Sequence, residues 1–245
     1  MAGHSKWANI KHRKERADAK RGKAFTRVTK EIINAVKSGG PDPKTNAKLR
    51  VAIAKAKEVN LPSDNIDRNI KKATSADQEA YVDFIYELYG HGGVGILAIG
   101  MTDNKNRLAS DIRIATNKRG GTIAAPGSVL FNFDHKGVLQ VVCPQDKEET
   151  LFLAASDAGA EEIEEGPEQG MSLVITPPDQ LNAVREALEA AGFDISEAEQ
   201  QYLPKVRVAT SGETLQANQA LLEWLEGIDD VDEVIHNMEE MGSHP

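Results

Sequence analysis

Between Lys6 and Lys30 the sequence sets Lys6, Lys11, Arg13, Lys14, Arg16, Lys20, Arg21, Lys23, Arg27 and Lys30 against only Glu15 and Asp18. Cations at this density suit one chemistry above others, the neutralisation of phosphates. On a continuous helix Arg13, Arg16, Lys20, Lys23, Arg27 and Lys30 recur at spacings of three and four, which aligns them as one stripe. Two further side chains in the run fit a nucleic-acid partner. Trp7 is placed to stack on a base, or else to pack the segment onto its own helices. His12 is placed to stack or to donate to a phosphate. Gly22 is a candidate break, in which case the leading segment is an arm that orders on its target. A charge run is ordinarily a solvated helix face, but such a face mixes both signs. The counter-charge is therefore either a polyanion or the chain's own acidic remainder docking on the run.

The totals sharpen that choice. The chain of 245 residues carries a formal net charge of -9. Residues 1–75 nevertheless hold 19 Lys and Arg against 7 Asp and Glu, a charge of +12, which leaves 10 against 31, or −21, for the rest. This asymmetry predicts a basic module for a polyanion and an acidic remainder that discourages nonspecific sticking or docks on a basic protein partner. Hydrophobic residues at 40% and charged residues at 27% match a folded globular chain. No apolar run approaches the roughly 20 residues that span a bilayer, and no apolar stretch of a secretory signal opens the chain. The single cysteine, Cys143, excludes an internal disulfide and fits a reducing compartment. A cytoplasmic protein with no membrane partner is expected.

Catalytic chemistry finds little footing. Gly90, Gly92 and Gly95 match GxGxxG, but Ile96–Ile99 reads as a strand where a dinucleotide site needs a helix N-terminus, so a hairpin turn is expected. The six histidines show no metal-ligand spacing, and there is no GxSxG, SxxK or P-loop. The acidic runs 161–165 and 229–233 alternate about Ile163 and Val231, as a strand with one solvated face does. Cys143 beside Pro144 reads as a structural thiol. Asp103 or Asn104 suits a helix cap, and Lys105 and Arg107 are secondary candidates for phosphate contacts. The expectation is a binding protein, not an enzyme, with no catalytic residues, no metal and no cofactor.

The elements that must position these residues follow from periodicity. Phe25, Val28, Ile32 and Val36 share one helix face over 22–38, ended by Gly39-Gly40-Pro41. A second helix is predicted over 44–59 and a third after Ser63 and Asp64 as caps. After residue 78 strands take over: 81–89, 94–102 and 128–133, with a helix over 104–118 and a turn at 134–137. Residues 138–203 then read strand, helix, strand, strand, helix, strand, a split βαββαβ unit. The flanking pieces 94–133 and 205–236 repeat that order. The predicted fold is α+β: an N-terminal all-helical domain (1–78) followed by two ferredoxin-like α+β domains, one discontinuous (79–133 and 205–245) and one inserted into it (134–204).

The stretches AGHSKWANIKHRK, DAKRGKAF, PDPKTNAKLRVAIAKAK, NLPSDNIDRNIKK, YELYGHGGVGILAIGMTDNKNR and KRGGTIAAPGSVLFNFDHKGV cover most of residues 2–138. In them the sequence resembles the YebC/PmpR family. The resemblance implies a three-domain α+β protein of the bacterial cytoplasm without enzyme activity, a transcriptional regulator that binds promoter DNA. Other relatives, mitochondrial ones included, resemble translation factors that act at the ribosome and assist synthesis of proline-rich stretches. The resemblance therefore supports a nucleic-acid target and leaves DNA and ribosomal RNA as alternatives.

Overall fold

Gly39-Gly40-Pro41 ends the first helix as its composition predicts, and the residues on its inner face gather the first core. The computed structural model describes residues 17–75, 79–166 and 168–240. Helix α1 (Ala17–Gly39) continues through Gly22, whose α-carbon faces open space, so Gly22 does not break it. Helix α2 (Ala47–Glu58) starts later than predicted because Asn46 caps it. The Asn46 carboxamide accepts from Leu49 N–H at 3.0 Å and donates to the carbonyls of Ala35 and Gly40, which pins α2 to the end of α1. Asn60 takes φ 60 in the link to α3 (Ser63–Ala73). Ser63 and Asp64 do not cap α3; Pro62 holds the cap position with no side-chain bond. Val28, Ile32, Ile33, Leu49, Ala52, Ala56 and Ile66 form the buried core of these helices.

Strands β1 (Val82–Tyr89) and β2 (Gly95–Thr102) pair antiparallel across the predicted glycine turn, where Gly92 and Gly93 take φ 68 and 82. Helix α4 (Lys105–Arg119) follows, capped by Asn104, and leads to a two-residue strand β3 (Thr122–Ile123). The strand predicted over 128–133 does not form. Its backbone donors are taken by Glu87 of β1, whose carboxylate accepts from the N–H groups of Gly127, Val129 and Leu130. With those donors turned inward, no ladder can use them.

The chain then enters β4 (Phe133–Val142), which includes the predicted turn 134–137 as strand. Gly137 serves close approach, not reversal: a Cβ there would lie 3.0 Å from Cβ of Leu181. Helix α5 (Glu148–Asp157), strands β5 (Glu162–Glu165) and β6 (Met171–Thr176), helix α6 (Leu181–Ala190) and strand β7 (Asp194–Pro204) complete this part. Its antiparallel sheet runs β5-β6-β4-β7, so the four strands stand in the order second, third, first, fourth. Leu139, Val141, Leu151, Val174, Val184 and Leu188 fill the core between that sheet and its helices.

Strand β8 (Val208–Thr210), helix α7 (Gly212–Glu226) and strands β9 (Val231–His236) and β10 (Met238–Glu240) close the described chain. The second sheet runs β3-β1-β2-β9. Here the predicted repeat of the split unit, already without its strand over 128–133, fails in a second respect. The segment read as a strand over 205–209 pairs as β8 with β10 in a separate parallel ladder, and β1 occupies the place beside β2 that it was expected to fill. The hairpin explains the difference, because β1 and β2 are joined by a short turn and pair over their whole length, with no long loop to close. Residues 131–206 make one compact unit, and the described residues before and after them make the other, helices and discontinuous sheet together.

Candidate nucleic-acid interface

Helix α1 places three of the predicted stripe cations, Lys23, Arg27 and Lys30, on one side through their spacing of four and three. They converge on the turn between α7 and β9. The Lys23 ammonium donates to the carbonyl of Val231 at 2.8 Å. Lys30 lies 3.1 Å from the Asp232 carboxylate and 3.5 Å from the carbonyls of Asp229 and Asp230. Arg27 sits 3.6 Å from the other Asp232 oxygen and 3.5 Å from Glu31. Lys30 is 4% exposed, and its ammonium also stands 5.9 Å from the centre of the Tyr81 ring. A phosphate cannot reach Lys30 in this arrangement.

Burial pushes the Asp232 carboxyl above its ordinary range, and the charges of Lys30, Arg27 and Lys23 pull against that shift. Among the described residues nothing hydrogen-bonds its buried Oδ2, so an ionised carboxylate there depends on these cations. The same turn is gripped from its other side. Arg107 of α4 meets Asp230 through Nη2 at 2.8 Å and Asp103 at 2.7 Å, and Thr102 donates to Asp230 at 3.0 Å. Hydrogen bonds to Asp230 and then Asp103 raise the Arg107 pKa further above its already high value. A Cβ at Gly100 would fall 2.1 Å from the Asp230 carbonyl, so the bulged strand β2 passes the turn only because residue 100 is glycine.

The reading of run 229–233 as a solvated strand face is therefore overturned: Asp230 is 4% exposed, and Asp232 is held by the helix. In run 161–165 the predicted alternation holds only in part: Ile163 packs inward and Glu162 is exposed, but Glu164 on the face of Glu162 is half-buried and Glu165 on the face of Ile163 is exposed. Burial pushes the Cys143 thiol up, in keeping with a structural cysteine.

Of the remaining predicted contacts, Lys6, Trp7, Lys11, His12, Arg13, Lys14 and Arg16 lie outside the described residues. Lys20 and Arg21 occupy helical positions in the first turns of α1. Lys105 is exposed at the start of α4, whereas Arg107 faces Asp103 and Asp230. Cations that the sequence reading did not assign also reach the surface. Lys48, Arg50, Lys55 and Lys57 of α2 are exposed, as are Arg68, Lys71 and Lys72 of α3. The spacing of Lys44, Lys48 and Lys55 carries that signal. Among the described residues no helix is long and apolar enough to cross a membrane, and no group of three His, Cys, Asp or Glu could hold a metal ion.

Comparison with known proteins agrees over nearly the full length. A model described as the TACO1/YebC protein N-terminal domain matches residues 5–76, and one described as the TACO1/YebC second and third domain matches residues 81–238. A "probable transcriptional regulatory protein" of Protochlamydia amoebophila is 58% identical over 238 residues, covering 97% of this chain and 96% of its own. Another of that description, from Chlamydia pneumoniae, is 56% identical and matched over 97% of this chain and 100% of its own. The crystal structure of a conserved hypothetical protein of Aquifex aeolicus superposes with a TM-score of 0.75 at 40% identity, covering 98% of each chain.

Proposed function

The chain belongs to the TACO1/YebC family, and from that premise we propose that it is a nucleic-acid-binding regulator of transcription that grips DNA phosphates with its basic N-terminal segment. One observation carries the reading: a charge of +12 concentrated in residues 1–75 of a chain whose net charge is -9. The names of the relatives support the regulatory part. The contacts begin with the cations that precede Lys23, from Lys6 to Arg21, and extend to the exposed lysines and arginines of α2 and α3. Lys23, Arg27 and Lys30 serve a different purpose, holding α1 against the turn 229–232. The protein acts by binding and not by catalysis.

Salt titration of binding to a DNA duplex tests the reading. If about six cations neutralise phosphates, log affinity falls with log salt at a slope near −5. Changing Arg13, Arg16 and Lys20 together to Ala lowers that slope by about 2 to 3 and leaves the folded structure intact. A salt-insensitive complex, or an unchanged slope in the triple variant, removes the phosphate grip. Crosslinking in cells decides the target: enriched promoters are expected, and ribosomal RNA crosslinks without promoter enrichment would put RNA in the place of DNA.

A further inference from the structure

Helix α2 turns outward an apolar residue that its core has no use for. Val51 is 57% exposed, while Leu49, Ala52 and Ala56 of the same helix are buried. Val51 lines an open groove of about 690 Å³ between α1 and α2, with Tyr81 and Met101 also in its wall. That volume falls within the range of small-ligand sites.

The charged and polar groups around the groove have defined states. Glu31, the acid in its lining, is compensated twice, by Lys55 at 2.9 Å and by Arg27 at 3.5 Å. Asn34 uses both ends of its carboxamide on the backbone of Tyr81, at 2.7 Å each, which fixes the Tyr81 wall to α1. Lys37 gives one N–H to the carbonyl of Ser75 at 2.8 Å, and an ammonium has three to give. Lys48 is exposed on the α2 side. A rigid apolar wall with ammonium groups beside it and a neutralised acid suits a ligand that is flat and apolar at one end and anionic at the other.

We propose that this groove receives one unpaired nucleotide of a single-stranded segment, its base against Val51 and Tyr81 and its phosphate on Lys37 and Lys48. The proposal rests on the reading that nucleic acid is the partner, and it adds what that reading lacks, a place where an unstacked base is held. A base paired and stacked within a duplex does not present its face to such a wall. The groove chemistry is common to RNA and DNA strands.

The test uses the full chain with oligouridylate and oligothymidylate probes, each beside a strand of the same length without bases, and with a duplex. Val51→Ser weakens binding of both base-bearing strands about fivefold, and leaves the baseless strands and the duplex unaffected. Lys48→Gln weakens every single strand and reduces the salt slope by about 0.7. Unchanged melting temperatures show that both exposed substitutions leave the fold intact. Binding of base-bearing strands by Val51→Ser as tight as by the parent overturns the proposal, and so does an equal loss on baseless strands. If that happens while the Arg13, Arg16 and Lys20 triple variant still loses affinity, the groove falls and the phosphate grip stands. If the parent protein binds neither strand nor duplex at low salt, both fall.

Discussion

Lys30 of α1 and Asp232 of β9 meet at 3.1 Å, 202 residues apart in sequence and each almost wholly withdrawn from solvent at the side chain. A cation predicted to face phosphate thus neutralises a carboxylate of its own chain, and this changes which substitutions bear on folding and which on binding.

Lys30→Met leaves Asp232 in a buried site with its nearest cation gone, so the carboxylate either stays charged without that partner or takes up a proton. A loss of about 3 kcal/mol in folding stability is expected by chemical denaturation, with the salt slope for DNA binding unchanged. A variant of parental stability whose salt slope dropped by about one would return Lys30 to the set of phosphate contacts.

Arg107→Ala should act on the opposite side of the same turn. Asp230 is 4% exposed and keeps only Thr102 among the side-chain partners described. The expected cost is again about 3 kcal/mol. The double variant with Lys30→Met should cost less than the sum of the two, because both residues hold one turn. Additive losses would show that the two grips are independent.

Gly100→Ala forces a methyl group into the space of the Asp230 carbonyl, 2.1 Å from where its Cβ must stand. Rigid backbone on both sides leaves little room to yield, so a loss of about 3 kcal/mol is expected, visible as a lower melting temperature. Parental stability would mean that the turn is free to move away from β2.

Glu87 supplies a pH dependence. Burial raises its pKa, but the N–H groups of Gly127, Leu130 and Val129 outweigh burial and leave it lowered. A carboxylate whose pKa is lower folded than unfolded contributes stability that is present above the unfolded value, 4.5, and is lost as pH falls through the folded value. Glu87→Gln should therefore be less stable than the parent by about 2 kcal/mol at neutral pH, with the gap narrowing below pH 4.5. Equal stability of the two proteins from neutral to acid pH would show that the Glu87 charge does not hold the loop 124–130.

Local signals read well wherever one element decided the outcome. The apolar face from Phe25 to Val36, the stop at Gly39-Gly40-Pro41 and the turn before β2 all appear where periodicity and glycine place them. Glu87 shows where such reading ends. Its position in a strand is ordinary, and nothing near it in sequence says that it will take the backbone donors of a segment 40 residues away and cancel the strand predicted there. Gly137 likewise looked like a turn glycine until Leu181 was seen against it.

The sequence by itself determined the family, the order of nearly all helices and strands, and the concentration of positive charge in residues 1–75. Those depend on residue type and short-range spacing, which a linear reading contains. Only the tertiary structure decided which of the positive charges face outward. The stripe spacing of Lys23, Arg27 and Lys30 is the same whether it meets solvent, phosphate or protein. For Lys30 burial against the turn 229–232 makes the choice, because a charge withdrawn from water must find its partner where the fold delivers one, whereas Arg27 pairs with Asp232 from a side chain that is still 43% exposed.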